Sequence, residues 1–330
     1  MKIRASLNPA HSWPPSRTWT GSWPFPAAAR FAWYGNTRPG FCIHLVDAGS
    51  GATRDLDSDC PVNTSSRVPP RYPRLAASPD LLFYDIGTAI GGDLADRIRV
   101  STVSGDSSYW LPGGREDFGP LAVSGDGRFL AYTRGRLVDS LVVRDLQTGL
   151  DAFARSHGLP LSFSPDGRRL VYEISEGYPQ VVDLDAGTDA AAGFTTNTSS
   201  RTTLSYGWSG SLLQVIYSRP APGGASGRQL VLETAGGSPR VLADVTGLLP
   251  ALPSWSPDGT RVSWWQQELI CDGFFGTCRP GFSTLFVMAL PDGAPAAVAT
   301  AMATRHSAFL ADSRTIVHVS EGRLYRVDLP

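Results

Sequence analysis

Residues 161–172 read Leu-Ser-Phe-Ser-Pro-Asp-Gly-Arg-Arg-Leu-Val-Tyr. An apolar run, a polar turn closing on Asp-Gly, and a second apolar run follow one another in a dozen positions. Asp-Gly between two such runs is a strong hairpin signal, because glycine takes positive φ without strain. The pattern recurs at 254–265 (SWSPDGTRVSWW) and 122–132 (AVSGDGRFLAY). In each copy a third alternating strand follows and runs into a Gly-containing turn: 141–149, 180–188 and 285–293.

Fainter copies fill the remaining chain. Residues 26–35 lead to 41–51, 77–85 to 98–106, 204–218 to 229–237, and 309–319 to 324–329. The turn markers Ala28, Asp80, Asp126, Asp166, Ser209, Asp258 and Asp312 are spaced about 47 residues apart on average, the repeat length of a four-stranded propeller blade. The fold class expected is therefore all-β: a single domain, 1–330, forming a seven-bladed β-propeller of four-stranded antiparallel blades. The blades fall at about 18–60, 72–115, 118–156, 159–198, 202–245, 250–301 and 304–330 plus 1–8. In the last, Lys2–Leu7 supplies the outer strand, so that no sheet edge is left bare. Six blades is the alternative.

At these turns the chain resembles the TolB-like, or PD40, family of WD40-like β-propellers, whose repeat carries a Ser-Pro-Asp-Gly turn. Ser164–Gly167 and Ser256–Gly259 match it fully; Ser124–Gly127 and Ser78–Asp80 match in part. The resemblance implies a fold and leaves function open, since related propellers serve as scaffolds, peptidase domains and sugar lyases. The extra N-terminal α/β domain and six blades of TolB are not expected here.

Composition narrows the function. The 35 Gly and 26 Pro among 330 residues recur at intervals, as many short strands and turns require. A formal net charge of −1 gives no basic footprint for nucleic acid. No run of apolar residues is long enough to span a membrane, and residues 1–26 lack the apolar stretch of a signal peptide.

Four cysteines form two local pairs, Cys42 with Cys60 and Cys271 with Cys278. Two disulfides are expected, each closing a loop, and with them an oxidising, secreted or periplasmic location, the leader being absent from the chain as given. A zinc site and free buried thiols are the alternatives; the spacing fits zinc poorly.

Catalytic patterns are sparse. His44 and His318 lie in apolar strand patterns and read as core or inter-blade hydrogen-bonding residues. His157 and His306 precede first strands and are the weak candidates for a metal, of the kind propeller lyases hold. Tyr206–Gly210 looks like a nucleophile sequence but occupies a turn position. Asp55, Asp57 and Asp59 begin like a calcium loop, yet Cys60 and Ser66 stand where Gly and Glu belong. Gly91-Gly92 and Gly223-Gly224 precede no helix and cradle no phosphate.

Loops between second and third strands, 87–97, 218–228 and 268–283, gather Asp93, Asp96, Arg97, Arg219, Arg228, Glu268, Asp272, Phe274 and Phe275 towards one rim. The expected function is a non-catalytic extracytoplasmic scaffold, bacterial and monomeric, binding a protein, peptide or glycan through these loops without a cofactor. The alternative is a propeller enzyme, a metal-dependent polysaccharide lyase or a hydrolase, with its site in the central funnel.

Overall fold

The computed structural model describes residues 19–24, 30–37, 40–47, 53–55, 75–77, 81–90, 93–102, 107–111, 118–134, 140–174, 178–194, 202–222, 228–245, 251–272, 277–302, 307–310, 312–320 and 323–329. The chain divides into two compact units, one of residues 16–192 and one built from residues 193–330.

The first unit holds four antiparallel sheets of four strands, each in simple sequence order. They are β1 (Trp19–Pro24) to β4 (Thr53–Asp55) through β2 (Arg30–Thr37) and β3 (Gly40–Asp47), then β5 (Leu75–Ala77), β6 (Leu81–Ile90), β7 (Asp93–Thr102) and β8 (Ser108–Trp110). The third sheet is β9 (Phe118–Val123), β10 (Phe129–Arg134), β11 (Ser140–Asp145) and β12 (Asp151–Ser156); the fourth is β13 (Gly158–Phe163), β14 (Arg169–Ile174), β15 (Tyr178–Asp183) and β16 (Thr188–Ala191).

The second unit repeats the design. Its sheets are β17 (Thr202–Ser209), β18 (Leu212–Pro220), β19 (Arg228–Thr234) and β20 (Arg240–Val245), then β21 (Ala251–Trp255), β22 (Arg261–Asp272), β23 (Thr277–Ala289) and β24 (Ala296–Met302). A final sheet contains β25 (Ser307–Phe309), β26 (Thr315–Ser320) and β27 (Arg323–Asp328). Among the described residues the complete four-stranded blades thus number six, the alternative count, and not seven. The last repeat gives a three-stranded sheet among the described residues, and residues 1–8, expected as its fourth strand, lie outside them.

Middle strands are buried on both faces, which explains their nearly continuous apolar runs. Leu130 and Tyr132 on β10 pack against Phe83, Ile98 and Val100 of the preceding sheet. Phe129 and Ala131, on the opposite face, pack with Phe163, Leu170 and Tyr172 of the next. In the second unit, Ile216, Leu230 and Leu232 meet Val262, Trp264 and Met288, while Trp265, Leu285 and Val287 meet Phe309, Ile316 and Val327. Each fully buried aliphatic or aromatic side chain contributes about 1.5–3 kcal/mol of transfer free energy. Outermost strands carry little of this load: β12 and β16 are almost wholly exposed or half-exposed.

The repeated turn has one hydrogen-bond design. The hydroxyls of Ser124, Ser164 and Ser256 donate to Oδ1 of Asp126, Asp166 and Asp258. The serine hydroxyl oxygens in turn accept the amides of Phe129, Arg169 and Arg261, and each carboxylate accepts a further amide two residues on. The Ser164 hydroxyl, first, then the Arg168 amide hold the Asp166 carboxyl below its ordinary range. For Asp258, burial pushes upward, and the combined hydrogen bonds from Ser256 and Thr260 outweigh it. Gly259 shows why glycine closes the turn: its φ is +69°, and a Cβ there would stand 2.2 Å from the Trp208 carbonyl oxygen.

Candidate functional site

The second-to-third-strand connections are mostly strand, and this corrects the expectation of long loops. Ile90 pairs with Asp93, so only Gly91 and Gly92 separate β6 from β7, a length that suits a tight hairpin turn. Asp93, Asp96 and Arg97 are therefore β7 residues. Arg219 is the penultimate residue of β18, opposite Gln229, and Arg228 opens β19 opposite Pro220. Glu268 and Asp272 belong to β22. The reason is physical: an antiparallel ladder continues as long as both strands can exchange hydrogen bonds, whatever the polarity of the side chains.

Arg219 and Arg228 do not converge. Arg219 donates to Gln229 Oε1 at 3.2 and 3.3 Å, and Gln229 Nε2 donates to Asp244 Oδ1 at 3.2 Å. This polar row runs across β18, β19 and β20. Arg228 lies on the opposite face, its Nε donating to Ser218 Oγ at 2.6 Å and its Nη2 to the Ser218 carbonyl at 3.1 Å. Both guanidiniums brace the hairpin that carries them.

The most distinctive element is the β22–β23 hairpin. Its strands are 12 and 13 residues long, against five in β21 and seven in β24. The inner strand pairs with β22 only as far as Trp265, and β24 with β23 only from Phe282 onward. Among the described residues, 269–272 and 277–280 therefore pair with one another alone, as a two-stranded arm. Glu268 is exposed on it, and Ile270 and Phe282 remain 40% and 50% exposed. Gly281 lies against Ile270 and Glu268, so by strand alternation Phe282 faces the other side. Composition around 270 and 282 did not single these two residues out; the signal was the length of the strand pattern on either side of the insertion.

The register places Cys271 directly opposite Cys278. Directly opposed residues of antiparallel strands have Cα atoms about 4.5–5.5 Å apart, inside the range a disulfide needs. Cys42 lies on β3 opposite Gly35. Cys60, Phe274, Phe275 and His306 lie outside the described residues.

His157 is exposed and adopts φ +59° in the single-residue step between β12 and β13; histidine is among the residues that tolerate this region. Among the described residues, no group of three or more His, Cys, Asp or Glu side chains gathers as a metal would require. No described helix is long and apolar enough to cross a membrane. His318 is buried between sheets, as the strand pattern implied, but neither ring nitrogen has the hydrogen-bond partner expected of it.

No family model and no curated protein matches the chain. Solved structures do. An oligogalacturonate lyase in complex with manganese aligns with TM-score 0.65 and 15% identity over 99% of this chain and 93% of its own. The β-propeller domain of the trilobed protease of Pyrococcus furiosus aligns at 0.62 and 10% identity, over 94% and 95%. A protein of Agrobacterium tumefaciens described as TolB aligns at 0.51 and 14% identity, over 88% and 98%. Identities this low speak to architecture alone, and that architecture is shared: this chain folds as a β-propeller.

Proposed function

We propose that residues 1–330 form one propeller domain that acts as a non-catalytic extracytoplasmic scaffold and binds a protein, peptide or glycan through its second-to-third-strand hairpins. The β22–β23 arm carries this reading. It extends past the described pairing of β21 and β24, carries exposed Ile270 and Glu268 on one face and exposed Phe282 on the other, and among the described residues each of its strands is an edge, pairing with no third strand. A partner can add to such an edge and seat side chains against the apolar residues. Phe274 and Phe275 at the tip would be further anchors, since rigid aromatics dominate interface energetics. The register of Cys271 opposite Cys278 supports a disulfide across the arm; with a Cys42–Cys60 counterpart it would fit an oxidising location. The segment Lys2–Leu7 is assigned to the free edge of β27, where it would cover an exposed strand.

Panning a random peptide display library against the wild-type chain, with counter-selection on an Ile270→Ser/Phe282→Ser variant, tests this. Peptides that bind the wild type and not the variant are expected. Enriched peptides that bind both equally remove the arm from the site.

The likeness to a manganese-bound oligogalacturonate lyase over nearly the whole chain favours a second reading, a metal-dependent polysaccharide lyase. His157 and His306 are its candidate ligands.

A further inference from the structure

His318 is 3% exposed, and neither Nδ1 nor Nε2 has a hydrogen-bond partner. Its imidazole is stacked on Tyr325 of β27, with ring centroids 5.1 Å apart and planes 11° apart. The Trp265 ring of β22 meets it nearly edge-on at 5.0 Å. His318 thus sits between the sixth and last sheets, two residues beyond Ile316 on the same face, next to the apolar contact those sheets share.

The polar groups nearby are neutral. Gln267 follows Trp265 on the same face of β22 and donates to the Gly281 carbonyl at 3.3 Å. Ser283 lies opposite Gln267 on β23, buried, its hydroxyl without a partner. Ser307 is opposite His318 on β25. Tyr325 is the titratable neighbour; among the described residues no carboxylate faces the ring, and burial alone lowers its proton affinity, to about 4. A protonated imidazole here would be a buried charge with no counter-ion among the described residues, a state strongly disfavoured unless the site opens.

We propose that the contact between the sixth and last sheets is an acid-sensitive latch, closed while His318 is neutral and released when its protonation parts β26 and β27 from β22. The direction follows from linkage. The closed state holds the imidazole below its ordinary value near 6.5, so the open state binds more protons. Stabilisation of the closed form is complete above about pH 6.5, falls as the pH drops towards 4, and is constant below that. The open-to-closed ratio rises about 30-fold between pH 8 and pH 5.

Hydrogen exchange of the full-length chain, corrected for intrinsic rates, tests the latch. Protection of β25–β27 should fall about 30-fold from pH 8 to pH 5 relative to β17–β20, and His318→Phe should abolish that fall. An unchanged fall in the variant, no fall in the wild type, or equal loss in both sheets overturns the proposal. Independently of any variant, the His318 ring followed by NMR should stay neutral down to about pH 5; a titration midpoint above about 6 also overturns it.

Discussion

Replacing Ser124 by alanine interrogates the repeated turn at its most buried copy. Ser124 is fully buried. Its hydroxyl donates to Asp126 Oδ1 at 2.6 Å and accepts the buried Phe129 amide at 2.8 Å. Alanine leaves that amide without its acceptor, and an orphaned buried donor costs about 1–3 kcal/mol. Losing the bond to the carboxylate adds less here, because exposed Asp126 can turn to water and still accepts the Arg128 amide at 3.0 Å. The net loss should be about 2 kcal/mol, or roughly a 30-fold drop in exchange protection of the Phe129 amide and its β9–β10 neighbours. Equilibrium urea unfolding followed by tryptophan fluorescence should show the same loss through a lower midpoint at constant slope. Ser164→Ala and Ser256→Ala should behave alike, since their hydroxyls make the same two bonds. A loss below about 0.5 kcal/mol in all three, within the range of an inert surface change, would refute the idea that this serine organises the turn.

The other expectations follow from single contacts. At Gly207, a Cβ would stand 2.1 Å from Trp255, whose indole donates to Ser205 Oγ at 3.0 Å; Gly207→Ala should destabilise the chain by about 1–3 kcal/mol or more, read as a lower melting temperature. Thiol titration under denaturing, non-reducing conditions should find no free cysteine, and four reactive thiols would defeat the disulfide and compartment assignments. Acid should weaken the turns in a second, lower window than the latch. The folded-state affinities of Asp166 and Asp258 are depressed, so their stabilisation is present above the ordinary carboxylate range near 3.9 and is lost as the pH falls through their folded values. Asp166→Asn, compared with wild type across that window by thermal melting, should remove part of the acid loss.

The turns were legible in the sequence because their chemistry is local. Ser164, Asp166 and Gly167 contact one another within a few residues, so the motif carries its own geometry. Even the degenerate fifth copy obeys: Ser209 pairs with Leu212, leaving Gly210-Ser211 as a two-residue turn with Gly210 at φ +57°. Ladder lengths were less legible. Arg97, Arg219 and Arg228 read as loop residues because they are polar, whereas pairing depends on the opposing backbone; Glu268 stands within β22 at the register shift between Gln267 and Leu269. Least legible were contacts between sheets. That Trp255 requires Gly207, or that His318 meets Trp265 and Tyr325 with no described acid beside it, depends on packing across about 50 residues or between strands whose side-chain environment no short pattern encodes.

Incubating the purified chain with manganese and oligogalacturonate, and following the unsaturated uronate that β-elimination creates by its ultraviolet absorbance, tests the scaffold reading most directly. The scaffold reading predicts no product above a protein-free control. Sustained product formation that His157→Ala or His306→Ala abolishes would contradict it and make the chain a lyase.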